Sequence, residues 1–427
     1  MDKKNTWHFD TQCLHSGQEI DEDFRARSVP IYQTTSFLFK STQHAADLFN
    51  LKESGHIYTR LSNPTTQVVE ERLASLEGGI GALLTASGLA AEMITFTTLA
   101  RQGENIVSSR NLYGGTKTML SASLPRFGIT AKFADVNEPN SFAHLIDEKT
   151  RGVYVETISN PSGDIPDFEA FAKISHDHDL PLVVDNTFAS PFLCRPLEWG
   201  ADIVIHSATK FIDGHGTSIG GIIIDSGHFP WDNGRFPEFT QPSSGYHGLN
   251  FWETFKHEAF IKKCRYEGLR TLGPAPSPFN AFLFLQGLET LHLRVPRHNF
   301  NAHEIAHFLK NHPKIDWVTY AGFPDHPSHK LAEKYFSSGY GSIFTFGVKG
   351  GITAGKKLIE NLRLISHLAN VGDAKTLILH PASTSHSQLT EQEQVEAGIT
   401  PDLIRLSVGL EHVSDLTADL FQALAEI

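Results

Sequence analysis

The sequence predicts an α/β protein: a mostly parallel sheet covered by helices, followed by a smaller C-terminal α+β domain. Three observations carry that expectation. Short apolar runs (Ala82-Leu83-Leu84, Ile106-Val107, Val153-Tyr154-Val155, Leu182-Val183-Val184 and Ile203-Val204-Ile205) alternate with stretches of helical apolar spacing such as 89–99 and 168–174, the pattern of parallel βαβ units. The runs are short and bounded by Pro and Gly, so they read as buried strands. Finally, residues able to do chemistry stand just past the ends of two of these runs, where ligands gather in open α/β sheets.

A chain of 427 residues is too long for one simple core. We expect an N-terminal arm over 1–62, a principal domain over 63–265 with an insertion at about 225–263, and a C-terminal domain over 266–427. In the arm, Val29-Pro30-Ile31 through Phe37 reads as extended, because Pro disfavours helix in the residue before it. Asn63-Pro64-Thr65 opens a helix that runs through Val69, Leu73 and Leu76 and stops at Gly78-Gly79. The insertion, GHFPWDNGRFPEFTQPSSGYHGLNF, is long for a structureless loop in a compact enzyme, and its aromatics argue against disorder. It reads as an ordered excursion near an active-site mouth or a subunit interface. Beyond Gly273, helices are expected over 279–291, 299–311 and 355–364, with strands at 343–346 and 404–409.

Apolar content of 40% and charged content of 20% are those of a soluble globular protein. The net charge of −12 argues against a polyanion-binding surface, so no nucleic-acid partner is expected. Cys13, Cys194 and Cys264 are too few and scattered for a disulfide framework or a zinc site, which suits a reducing, cytoplasmic compartment. The N-terminus lacks an apolar signal region, and no run reaches the roughly 18 apolar residues of a membrane span. The 23 histidines include a literal H-E-x-x-H at His303-Glu304-Ile305-Ala306-His307. There Ala302, Ile305, Ala306 and Leu309 make a buried stripe while Asn301, Glu304 and Lys310 surround the histidines. A solvated helix face is the preferred reading, and no metal is expected.

The chemistry concentrates between Pro181 and Gly221. Asp185 ends one apolar run, and His206-Ser207-Ala208-Thr209-Lys210 follows the next. Pyridoxal phosphate needs such a set: a lysine to form a Schiff base, a carboxylate to keep the pyridine nitrogen protonated, and hydroxyls and backbone N–H groups for the phosphate. Lys210 fits the first role, Asp185 the second, and Ser207 and Thr209 the third. Ser87-Gly88-Leu89, a small-residue turn between strand and helix, offers further N–H groups to a phosphate. Arg405 stands alone among apolar neighbours on a strand, a placement that suits a bidentate clamp on an amino-acid carboxylate.

On these residues the chain resembles, over nearly its whole length, the Cys/Met-metabolism family of pyridoxal-phosphate enzymes of fold type I, and within it the sulfhydrylase branch. The resemblance implies further roles. Tyr58 and Arg60, in a Y-x-R motif, would hold the cofactor phosphate of a neighbouring subunit. Ser87, Gly88 and Leu89 would bind the phosphate in their own subunit, although relatives often carry Gln or Met where this chain has Leu89. Tyr113 would stack on the pyridine ring, with its hydroxyl near the reacting γ-carbon. Asn160 would lie near the cofactor O3′ and the substrate carboxylate. The stretch 376–386 resembles the sulfhydrylase form of a substrate loop, with Ser383 assisting Arg405.

The activity implied is γ-replacement: O-acetylhomoserine with sulfide or a small thiol gives homocysteine or methionine plus acetate. Lys210, Tyr113 and Asp185 would be the catalytic residues of a cytoplasmic homo-oligomer, a tetramer with active sites shared between subunits. Other activities of the family remain open, namely cystathionine γ-synthase, O-succinylhomoserine sulfhydrylase and γ-lyase. Gly115 counts against the γ-lyase, which usually carries Cys there. From a different class, a non-enzymatic phosphate- or metal-binding α/β protein would keep the sheet without needing Lys210. A dinucleotide-binding dehydrogenase is disfavoured because no G-x-G-x-x-G follows a strand and opens a helix.

Overall fold

The computed structural model describes residues 7–384, 394 and 398–427. Among the described residues, twelve strands form two sheets. The first sheet comprises β1 (Gly81–Thr85), β2 (Asn105–Ser109), β3 (Thr130–Ala134), β4 (Thr150–Glu156), β5 (Leu182–Asp185), β6 (Ile203–Ser207) and β7 (Gly221–Asp225), in the order β1-β7-β6-β5-β4-β2-β3. Neighbours from β6 to β3 pair in parallel, and β7 runs antiparallel between β6 and β1.

Both faces of this sheet are buried, as its apolar runs require. Leu84, Val107, Val155, Val184, Val204 and Ile224 point into one core. Their neighbours Leu83, Ile106, Tyr154, Val183, Ile205 and Ile223 point into the other, as the two-residue period of a strand dictates. The helix Pro64–Glu77 covers the first face. Asn63 caps its N-terminus through the Thr65 amide, Pro64 occupies its first turn, and Gly78 ends it at φ 83°.

The insertion covers the second face. Phe229, Trp231, Phe236, Phe239, Phe251 and Phe260 are buried among the residues of that core. Trp231 stacks on Phe239 and Phe260. The aromatics of this segment are committed to the core of the sheet.

The second sheet comprises β8 (Ile315–Thr319), β9 (Ile343–Val348), β10 (Ser366–His367), β11 (Leu377–Leu379) and β12 (Leu403–Ser407), ordered β10-β11-β12-β9-β8. It packs with the helix Val413–Ala425 around a third core. Among the described residues no helix is long and apolar enough to cross a membrane.

Three local expectations shift. The helix predicted over 299–311 spans Leu291–Lys310 and continues through Pro296. The helix predicted over 355–364 occupies Gly351–Asn361. The helix Pro278–Glu289 buries Ala281, Phe284, Leu285 and Leu288 in the core of the first sheet, so this stretch of the C-terminal half serves the larger layer.

Candidate active site

The parallel strands end on one edge, and that edge carries the chemistry. Glu156 and Asp185 are register partners at the ends of β4 and β5. Ser207, Gly221 and Thr85 lie side by side across β6, β7 and β1. Glycine is required where these strands converge on the turn after β1. A Cβ on Gly221 would sit 2.0 Å from the Ser87 carbonyl oxygen, and one on Gly88 would sit 2.8 Å from the Ser207 Cβ. Ser87 caps the following helix through the Ala90 amide, which leaves the N–H groups of Gly88 and Leu89 unused at the helix start. Free N–H groups at a helix start are the kind of arrangement that can cradle a phosphate.

Asp185 keeps one partly exposed face. Its Oδ1 accepts the Thr187 N–H at 2.8 Å. Burial raises its pKa, opposed by the Thr187 hydroxyl and amide and by the charge of His206. His206 is itself buried, with Nε2 2.6 Å from Glu77 Oε1. A cationic ring nitrogen at the open face of Asp185 would favour its ionised form.

Lys210 follows β6 and donates from Nζ to Asn370 Oδ1 at 2.5 Å. Burial and the nearby Arg405 charge lower its pKa to about 8, so its amine reaches the neutral form far more readily than a surface lysine. Arg405 Nη1 donates to Asn160 Oδ1 at 3.3 Å, and Nη2 points to the Asn370 carbonyl at 3.5 Å. Both contacts are long, and burial lowers the pKa of Arg405 to about 10. A guanidinium that is desolvated but loosely paired is ready for a carboxylate. Tyr113 is half-exposed, and a Cβ on Gly115 would meet its ring at 2.5 Å, so glycine at 115 lets that ring fold back over the turn.

The structure thus gathers Lys210, Arg405 and Asn160 into one contact chain and sets Asp185, Ser207, Gly88 and Leu89 along the neighbouring strand ends. The Thr209 hydroxyl donates to the Gly220 carbonyl at 3.2 Å and accepts the Gly220 N–H at 3.1 Å. The Ser383 hydroxyl lies 2.9 Å from His380 Nδ1, and His380 Nε2 lies 2.9 Å from the Pro401 carbonyl. Ser383 is therefore bonded within its own loop, and Asn370 provides the direct link to Lys210. Ser385 and His386 of that loop lie outside the described residues. Arg60 donates to the Arg270 carbonyl of its own chain at 2.5 Å and stacks over Tyr58. His303 and His307 lie ring to ring and pack against Tyr320 and Phe323, and no cluster of three metal-ligating side chains occurs among the described residues.

Sequence reasoning missed Asn370, Thr187, Glu92 and Glu156 as site residues. Glu92 had a legible signal, a single carboxylate inside the apolar helix Gly88–Leu99. Asn370 had none.

The residues present fit pyridoxal phosphate: an amine with a lowered pKa, a strand-end carboxylate with an open face, and a glycine-walled turn at a helix start. Comparison with known proteins points the same way. The family model described as Cys/Met metabolism PLP-dependent enzyme matches residues 10–425. The chain is 53% identical to an O-acetyl-L-homoserine sulfhydrylase of Leptospira meyeri, covering 98% of this chain and 97% of that one. It is 52% identical to a homocysteine synthase of Schizosaccharomyces pombe, covering 98% of both. Among solved structures, a putative O-acetylhomoserine (thiol)-lyase from Campylobacter jejuni, containing a pyridoxyl-lysine monophosphate, superposes with a TM-score of 0.95 at 40% identity, covering 98% of this chain and all of that one.

Proposed function

The chain belongs to the Cys/Met metabolism PLP-dependent enzymes, and from that premise we propose that it replaces the acetate of O-acetylhomoserine with sulfide or a small thiol. Sulfide gives homocysteine, and a methyl thiol would give methionine. The observation that carries this reading is likeness over 98% of the chain to enzymes named for that ester, joined to the convergence of Lys210, Asn160 and Arg405.

Pyridoxal phosphate, when bound, supplies the electron sink that makes the substrate Cα and Cβ protons removable. Lys210 Nζ, neutral above about pH 8, takes the Cα proton. Asp185 would place a negative charge at the ring nitrogen. Arg405 and Asn160 orient the substrate carboxylate, and Tyr113 covers the open side. Gly88, Leu89, Ser207 and Thr209 would hold the phosphate, and Ser383 would assist through its loop. Acetate leaves Cγ and the thiol sulfur takes its place, its proton balancing the acetate released.

We assign Tyr58 and Arg60 to a neighbouring subunit's phosphate within a homotetramer. The arm supports this by exposing Leu38 at 99% and Phe24 at 90%, a costly display for a lone chain. A cytoplasmic location is in keeping with three buried free cysteines.

The test is a visible spectrum of the purified protein with O-acetylhomoserine, with and without sulfide. A cofactor band that changes with the ester, and homocysteine only with sulfide, is the expected result. A response to O-succinylhomoserine or cysteine instead would move the activity within the family, and 2-oxobutyrate without sulfide would mark a lyase. Absence of any band after adding the cofactor would overturn the reading.

A further inference from the structure

Three carboxylates meet at the end of β5. Asp185 and Glu156 are neighbours in register, and Glu92 reaches toward them from the helix Gly88–Leu99, bonded to the Tyr154 hydroxyl of β4 and in electrostatic interaction with both acids. Glu92 and Glu156 are buried, at 3% and 6% exposure. Three ionised acids so close and so poorly solvated would repel strongly, so at least one must carry a proton.

The hydrogen bonds show which. Glu156 accepts the Tyr113 N–H on Oε1 at 2.7 Å and the Asn160 N–H on Oε2 at 3.2 Å, so both its oxygens act as acceptors. Asp185 accepts from Thr187 and presents its open face to the cofactor. Glu92 differs. Its Oε1 accepts two hydroxyls, from Thr116 at 2.9 Å and Tyr154 at 3.1 Å, while its buried Oε2 meets no donor. As a charged acceptor that oxygen would be left desolvated and unpaired beside another carboxylate, an expensive arrangement. As the hydroxyl of a neutral acid it is itself a donor, and Asp185 is the acceptor within reach.

We propose that Glu92 is held protonated and donates from Oε2 to Asp185, as a positioning residue that keeps Asp185 ionised and turned toward the ring nitrogen. Burial and the Asp185 charge both push the pKa of Glu92 well above the ordinary carboxylate range, in the same direction as the geometry. The inference rests on the reading of Asp185 as the partner of the ring nitrogen, and it adds a residue that touches neither substrate nor cofactor.

Infrared difference spectra of the holoenzyme test the proton directly. Wild type minus Glu92→Gln at neutral pH is expected to contain a carboxylic-acid C=O band. A difference showing only carboxylate bands would overturn the proposal. Kinetics test the role. Glu92→Gln keeps an N–H donor for Asp185 and is expected to hold kcat within about twofold of wild type, whereas Glu92→Leu removes the donor to a charged group and is expected to lower kcat about tenfold. A Gln variant as impaired as the Leu variant would overturn the positioning role, and the Gln variant with its infrared band decides the matter even if the Leu variant fails to fold. A wild-type protein without a visible cofactor band would fail the proposed function instead, and the acid band would still report the Glu92 proton.

Discussion

Lys210 shows how one buried amine ties chemistry to stability. Its pKa is lowered to about 8, chiefly by burial and secondly by Arg405. In the cofactor-free protein the unfolded chain therefore binds more protons at this residue than the native chain between about pH 8 and the ordinary lysine value. Native stability rises with pH across that window, and below pH 8 the full penalty of a buried ammonium is present. Lys210→Met removes the penalty. The variant's gain in Tm over the cofactor-free wild type is expected to be largest below pH 8 and to shrink toward pH 10, measured by calorimetry after cofactor removal. A gain that is flat with pH would contradict the shift. Asp185 was legible in the sequence because it ends one apolar run, and Lys210 because it closes the polar stretch that follows the next. Asn370 was not, because its contact with Lys210 Nζ spans 160 residues and depends on how two sheets approach each other.

At the scale of elements, the site edge is a junction of three backbone segments, and small residues make it possible. Gly221→Ala would drive a methyl group into the Ser87 carbonyl, and neither backbone can retreat without breaking the pairing of β7 with β1 and β6. Overpacking of this kind costs roughly 1–3 kcal/mol, and it is concentrated on the turn assigned to the phosphate. The variant is expected to lose at least about tenfold in cofactor affinity as well as thermal stability. Gly152→Ala is the control, since its Cβ would find ordinary contacts at 3.5 Å and beyond. Cofactor titration of both variants checks the contrast, and equal affinities would sink it. The strands β3 and β7 escaped the sequence reading for opposite reasons. Thr130–Ala134 is a half-exposed edge strand with little apolar signal. The isoleucine run of β7 was obscured by the Gly- and Pro-rich insertion beyond it.

At the scale of the whole molecule, the arm raises a question of partnership. Within its own chain Arg60 is held on the Arg270 carbonyl, while its proposed role lies in another subunit. Arg60→Ala and Lys210→Ala, each inactive at limiting cofactor, separate the possibilities. If sites are shared, unfolding and refolding the two variants together is expected to restore part of the activity, because some sites combine an intact Arg60 from one chain with an intact Lys210 from another. No recovery in verified mixed oligomers would place Arg60 in the site of its own chain.

Local chemistry along the chain was enough to settle the alternation of strands and helices, the capped helix Pro64–Glu77, and the residues that end the parallel strands. These features are set by apolar period, turn chemistry and the polarity of the residues just past each run. The folded arrangement alone settled that Asn370 meets Lys210, that Ser383 is engaged by His380, that the aromatic insertion covers one face of the sheet, and that the acids Glu92, Glu156 and Asp185 interact with one another. Each of these depends on distances between residues far apart in the chain. Where such a contact brings carboxylates together out of water, it also decides which of them keeps its proton.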